Sequence, residues 1–156
     1  MRHGAPAPGT TPSELLVCTT CRPAGAARSE PAAGEQLLSQ VLGTQAGSAE
    51  IAASAAATHG SVVVRGIACL GVCSRSCAIA LQAEGKMTYV FGDLAPDAES
   101  AAQLLVCAQQ HADASDGLLA WASRPERLRR GLVARLPPLQ GQPPESTDAP
   151  NEGTPS

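Results

Sequence analysis

Of the six cysteines in this 156-residue chain, five fall into two tight groups. The first is Cys18-Thr19-Thr20-Cys21, and the second is Cys69-Leu70-Gly71-Val72-Cys73-Ser74-Arg75-Ser76-Cys77. As thiolates these side chains are nucleophiles, redox groups and soft metal ligands. Cys18, Cys21, Cys69 and Cys73, brought to one point from two loops, would suit a 2Fe–2S cluster. The same four sulfurs would also suit zinc, which takes tetrahedral thiolate ligands. Cys18 and Cys21 alone would suit thiol–disulfide chemistry, since a Cys-x-x-Cys after the first strand of an α/β domain is a place for redox thiols. A Cys-x-x-Cys is weak evidence by itself; the second group makes the pattern specific.

Cys77 is a candidate fifth ligand or a thiol packed beside the site. Cys107, inside Leu104-Leu105-Val106-Cys107-Ala108, is expected in the core, because a buried free cysteine behaves as a small hydrophobe. Arg22 and Arg75 flank the two groups, where positive charge favours thiolates and raises a cluster's potential. Gly66 and Gly71 allow close approach of backbone N–H groups to sulfur. His111 is expected at the end of a helix, where a cation suits the macrodipole. His59 precedes a strand and His3 lies in a tail; neither these nor His111 is a strong zinc candidate. The chain has no phosphate-cradling glycine loop, framed carboxylate pair or Ser/His/Asp arrangement. It is therefore expected to carry electrons or a metal rather than to be an enzyme.

The elements that must position these groups alternate in type. Leu15-Leu16-Val17 is an apolar run ending at Cys18, consistent with a buried strand. Ser29 and Pro31 suggest a helix start, with Leu37, Leu38, Val41 and Leu42 as its apolar stripe and Gly43 as its end. The alanine-rich residues 49–58 suggest a further helix. Ser61–Ala68 is a β-branched strand, and Ala78–Leu81 and Lys86–Phe91 form a hairpin about Glu84-Gly85. Met87, Tyr89 and Phe91 share a face of its second strand. Pro96 opens a helix reaching His111, and a last helical stretch includes Leu118–Trp121, with Trp121 as a packing anchor. This order predicts one α/β domain over residues 14–136, with disordered tails over 1–13 and 137–156, whose Pro/Gly-rich composition cannot repay the entropy of ordering.

Hydrophobic residues make up 44% but aromatics only 2%, so the core is modest and a metal centre would add folding energy. A net charge of −3 gives no nucleic-acid footprint. Arg124, Arg127, Arg129, Arg130 and Arg135 are expected on a solvated helix, with a docking face for an acidic partner as the alternative. No run of about 20 apolar residues would span a membrane. The N-terminal Met1-Arg2-His3-Gly4-Ala5-Pro6 lacks the apolar region of a secretory signal, which places the chain in the cytoplasm. There cysteines are more often metal-binding or catalytic than disulfide-bonded.

Val62–Leu81 followed by Lys86–Leu94 resembles the second half of thioredoxin-like 2Fe–2S ferredoxins and of the small iron–sulfur subunit of respiratory complex I. In those proteins a strand runs into Cys-Leu-Gly-x-Cys and then a hairpin closed by a Gly-Asp-Leu-like segment. The resemblance puts Cys69 and Cys73 on the second ligand pair, Cys18 and Cys21 on the first, and Gly92-Asp93-Leu94 on the closing segment. Two departures stand out: the first pair is more closely spaced here, and Cys77 stands where those proteins tend to carry proline. Residues 15–138 also resemble a bacterial family of predicted metal-binding proteins known mainly as a domain of unknown function. The matching segments are Val17–Arg22, Cys69–Ala78, Lys86–Leu94 and Arg124–Pro138. That resemblance implies a role in cobalamin or cobalt metabolism, with a redox partner among cobalamin-synthesis enzymes. The competing expectation is a zinc- or cobalt-binding accessory protein without a cluster.

Overall fold

A computed structural model describes residues 12–52 and 61–139 of the chain. The sheet follows from alternation. β1 (Ser13–Cys18) sets Leu15 and Val17 on one face. Antiparallel β3 (Ile79–Gln82) places Leu81 opposite Leu15 and Ile79 opposite Val17. β4 (Thr88–Phe91) extends both rows with Tyr89 and Phe91. β2 (Val62–Ile67) runs parallel to β1, and β5 (Leu132–Leu136) runs antiparallel to β4. The order among the described residues is β2-β1-β3-β4-β5.

A parallel neighbour requires a crossover connection, and the one between β1 and β2 carries α1 (Ala33–Ala52). After the hairpin, the Asp97 carboxylate accepts the Ser100 N–H at 2.8 Å and caps α2 (Ala98–Asp113). Leu104, Cys107, Ala108 and His111 recur at helical spacing and are fully buried. Leu37 and Val41 of α1 join them on the apolar sheet face. A short α3 (Glu126–Arg130) adds Leu128. A parallel strand–helix–strand unit, an antiparallel hairpin and a closing helix make this the α/β domain that the element order predicts, with the thioredoxin-like arrangement that the resemblance to thioredoxin-like ferredoxins implies. The tail ranges lie mostly outside the described residues, as do His3, His59 and residues 53–58 of the alanine-rich segment. The described part of residues 49–58 belongs to α1.

Several expectations are corrected. Gly43 does not end the first helix, which continues unbroken to Ala52. A helical glycine costs about 1 kcal/mol but is no stop signal without a proline behind it. The helix begins at Ala33 rather than near Ser29, and Leu42 is largely exposed. Leu118–Ala120 is not helical; a single 3₁₀ turn covers Trp121–Ser123. Trp121 is 64% exposed, with the Arg129 guanidinium 5.1 Å from its ring centroid. It is a surface residue, not an anchor. The arginine-rich stretch is not one solvated helix: Arg127, Arg129 and Arg130 lie on α3 and Arg135 on β5. Arg124 precedes α3 and is buried, its guanidinium donating to the Leu119 carbonyl at 2.9 Å and lying 5.6 Å from the Tyr89 ring centroid.

His111 is fully buried and plays a different part from the one expected. Its Nε2–H donates to the Met87 carbonyl at 2.6 Å, which leaves Nδ1 to accept the Ser13 hydroxyl at 2.7 Å. Both contacts suit a neutral ring, and burial holds its pKa below the ordinary value of 6.5. The cation at the end of α2 is Lys86, whose buried Nζ donates to the carbonyls of His111 at 3.1 Å and Ala112 at 2.6 Å. Lys86 thereby satisfies carbonyls that a helix C-terminus leaves open.

Candidate metal centre

Both cysteine groups sit at one end of the sheet, opposite the Lys86–His111 end. β1 delivers Cys18, and the parallel register places Ile67 beside it, so the loop after β2 starts next to the loop after β1. The Cys18 N–H donates to the Ala78 carbonyl at 3.0 Å, and the Thr19 N–H to the Ile67 carbonyl at 2.8 Å. The Thr20 hydroxyl reaches the Ala68 carbonyl at 2.5 Å. Three segments are thus tied together around Cys18.

The two pairs differ in burial. Cys18 and Cys21 are 1% and 3% exposed and pack with Ala78 under Leu70 and Val72. The start of α1 closes over them: the Gly34 N–H donates to the Cys21 carbonyl at 3.1 Å. A Cβ on Gly34 would lie 1.8 Å from the Cys18 carbonyl oxygen, so only glycine fits there. Cys69 and Cys73 are exposed. Their Sγ atoms are 3.8 Å apart, and the Gly71 N–H donates to Cys69 Sγ at 3.2 Å. Gly71 makes this return with φ +81°, a conformation that costs other residues.

Electrostatics separates the sulfurs further. Burial opposes ionisation of Cys18, but the Cys21 thiol and the Leu70 and Thr20 N–H groups outweigh it and lower the Cys18 pKa. Cys21 is pushed up to about 12, first by burial and then by its bond to Cys18. Cys73 is raised first by its hydrogen bond to Cys69, then by the Cys69 charge and by desolvation, with a smaller push from the Cys18 charge. Cys77 is 1% exposed, lies in the main core and is pushed up to about 11, first by burial and then by the Cys18 charge, so it stands within electrostatic reach of the inner pair. Its neighbour Ala78 faces the other way, toward Cys18 and Cys21. Cys107 is buried in α2 and is raised to about 12, again by burial.

Of the flanking arginines, Arg22 points its Nη1 at the carbonyls of Ala27, at 2.9 Å, and Glu30, at 2.6 Å, and so braces the loop before α1. Arg75 pairs with Asp93, its Nε donating to Oδ2 at 2.8 Å, while the Asp93 N–H donates to the Arg75 carbonyl at 2.9 Å. The pair fastens the second cysteine loop to the end of β4. Ser76 Oγ is buried without a hydrogen-bond partner among the described residues. Sequence reasoning missed Gly34, Thr20 and the pairing of Asp93. Gly34 sits inside a helix, where a glycine is a sequence signal of close packing; the other two carry no such mark.

Among the described residues, no three thiol, imidazole or carboxylate groups converge as a single-ion site requires. The sulfurs are arranged two by two. For a tetrahedral ion with metal–sulfur bonds of about 2.3 Å, two thiolates on one ion stand about 3.8 Å apart. The observed Cys69–Cys73 separation is 3.8 Å. A two-iron cluster takes four cysteines, two on each iron. The paired sulfurs therefore fit a binuclear group better than a mononuclear one.

These features define an α/β domain with paired cysteines at one end of its sheet. The chain belongs to the family described as a protein of unknown function (DUF1636), whose model matches residues 15–138. A comparison with curated proteins gives no match. Similar solved structures include a thioredoxin-like [2Fe–2S] ferredoxin from Aquifex aeolicus, with TM-score 0.49 and 13% identity, spanning 88% of this chain and 100% of that one. Another is the wild-type thioredoxin-like [2Fe–2S] ferredoxin from the same organism, with TM-score 0.46 and 9% identity, spanning 80% and 99%. No helix among the described residues is long and apolar enough to cross a membrane.

Proposed function

We propose that the chain is an electron carrier whose Cys18, Cys21, Cys69 and Cys73 hold a 2Fe–2S cluster. The observation that carries this reading is the two-by-two arrangement of sulfurs on adjacent loops, with the exposed pair at the spacing of two ligands on one ion. When bound, the cluster supplies one-electron transfer. The chain's own groups set its surroundings. Leu70, Val72 and Ala78 keep water from the inner pair. The Gly71 N–H is a donor for a negatively charged site, and such donors tune its potential. Asp93 offsets much of the Arg75 charge, so Arg75 acts mainly as a fastening.

In this reading Cys77 packs in the core and is not a ligand, and the chain is a cytoplasmic carrier rather than an enzyme. Its partner is an oxidoreductase, for which the family resemblance suggests cobalamin synthesis. Anaerobic purification followed by visible spectroscopy and iron and sulfide analysis tests the proposal. A coloured protein with about two irons and two sulfides per chain is expected. Its colour should survive Cys77→Ser but not Cys18→Ser or Cys69→Ser. A colourless protein holding stoichiometric zinc or cobalt, without sulfide, would establish the accessory-protein alternative instead.

A further inference from the structure

We propose that Cys69 and Cys73 form a redox-active dithiol that closes to a disulfide in the cluster-free chain and so blocks loading of the site. The blocking step rests on the electron-carrier reading; the disulfide itself does not.

Three observations carry it. The two sulfurs are 3.8 Å apart. A disulfide needs them at about 2.05 Å, and side-chain rotation on an exposed turn can supply the difference. Second, both thiols are exposed, whereas Cys18 and Cys21 lie under Leu70 and Val72. Exchange requires an oxidant to reach the attacked sulfur, so the outer pair meets it first. Third, the Gly71 turn folds the five-residue loop back on itself, with its N–H on Cys69 Sγ. The turn brings the two sulfurs together, while Leu70, Val72 and the Arg75–Asp93 pair anchor the loop on the fold.

The oxidant is a small-molecule disulfide such as oxidised glutathione. The thiolate of one cysteine attacks a sulfur of that disulfide, forming a mixed disulfide and expelling one thiolate. The second cysteine's thiolate attacks the protein sulfur of the mixed disulfide and expels the other. Two protein thiols are oxidised, the small disulfide is reduced to two thiols, and the protons released by the cysteines pass to the departing thiolates. Two ligands are thereby withdrawn from the site until a thiol reductant returns them.

The test uses the full chain, reduced and freed of metal, then equilibrated in glutathione buffers of increasing oxidised fraction, alkylated after unfolding and digested after arginine. Cleavage after Arg65 and Arg75 leaves Cys69 and Cys73 on one peptide, separate from Cys18, Cys21 and Cys77. That peptide should escape alkylation and lose the mass of the two thiol hydrogens, while Cys18 and Cys21 remain alkylated. Cys73→Ser should instead leave glutathione on Cys69. Earlier oxidation of Cys18 and Cys21, or free Cys69 and Cys73 in the most oxidising buffer, would overturn the proposal. In a parallel arm, iron and sulfide are offered to the oxidised and reduced chains. Uptake should be lost on oxidation and restored by reductant, and equal uptake by both would overturn the block. If the reduced chain takes up no cluster, the electron-carrier reading fails, and with it the block, while the peptide result still decides the dithiol.

Discussion

The two ends of the sheet are built on opposite principles. At one end Ser13, His111, Lys86 and the carbonyls of Met87 and Ala112 satisfy one another in a closed, buried polar network. Such a network stabilises when each member has its partner. At the other end two thiol pairs stand side by side with few hydrogen bonds, one pair covered and one open, and Ser76 Oγ lacks a partner among the described residues. One end is complete as folded. The other has ligand capacity to spare, which is the mark of a site rather than of a core. Changes at each end should therefore fail differently: through stability at the first, through chemistry at the second.

The largest effect is expected where the site depends on the core. Gly34→Ala drives a methyl group against the Cys18 carbonyl oxygen, which belongs to a central strand and cannot yield cheaply. Overpacking of this kind costs typically 1–3 kcal/mol and occasionally more; about 3 kcal/mol is expected here, against a usual total of roughly 5–15 kcal/mol. Urea unfolding of the metal-free chain measures it. A loss below about 1 kcal/mol would mean that α1 does not bear on the inner cysteines as described.

An intermediate effect belongs to the closed end. Burial keeps the His111 pKa below 6.5 in the folded chain, with the Lys86 charge acting in the same direction and the bond to Met87 opposing both. The unfolded chain therefore takes up a proton near pH 6.5 that the folded chain resists. Stability contributed by the neutral ring is complete above that pH and is lost as the pH falls below it, at no more than about 1.4 kcal/mol per pH unit. Other groups titrate as well, so the useful quantity is the difference between the parent chain and His111→Gln in urea midpoints from pH 7 to 5. The variant should be less stable at pH 7 but lose less on acidification. Parallel curves would show that His111 is not the group responsible.

How much of this was legible in advance follows the range of the interactions. The β-branched run 62–67, the alternation in Met87, Tyr89 and Phe91, and the turn at Glu84-Gly85 are local signals, and the strands formed there. β5 escaped because Leu132–Leu136 lies in an arginine-rich stretch whose only strand signal is apolar residues between Gly131 and Pro137. The helix ran through Gly43 because packing of Leu37 and Val41 outweighs one glycine. His111 was misjudged because the residue that caps α2, Lys86, comes from a turn on the far side of the hairpin. At the site, spacing alone singled out the two cysteine groups. It could not tell the covered pair from the open one, since Leu70, Val72 and the start of α1 decide that only once the strands are in register.

The smallest effect on stability should be the most informative about the open pair. A methyl group on Gly71 meets no atom within 4 Å, so Gly71→Ala adds no clash, only the cost of a left-handed backbone, about 1–2 kcal/mol at most. Two outcomes separate the roles of the two ends. If the loop keeps its shape, the chain loses that much stability and Cys69 and Cys73 still close under glutathione. If it relaxes to negative φ, stability changes little, because Gly71 itself touches no core residue and Leu70 and Val72 are only partly buried against the inner pair, but the Gly71 N–H leaves Cys69 and the two sulfurs part. The second is expected, since an exposed turn relaxes more cheaply than it holds strain. Measured together, an unchanged urea midpoint and a lost Cys69–Cys73 disulfide would show that the outer pair is held by its own loop, and the inner pair by the fold.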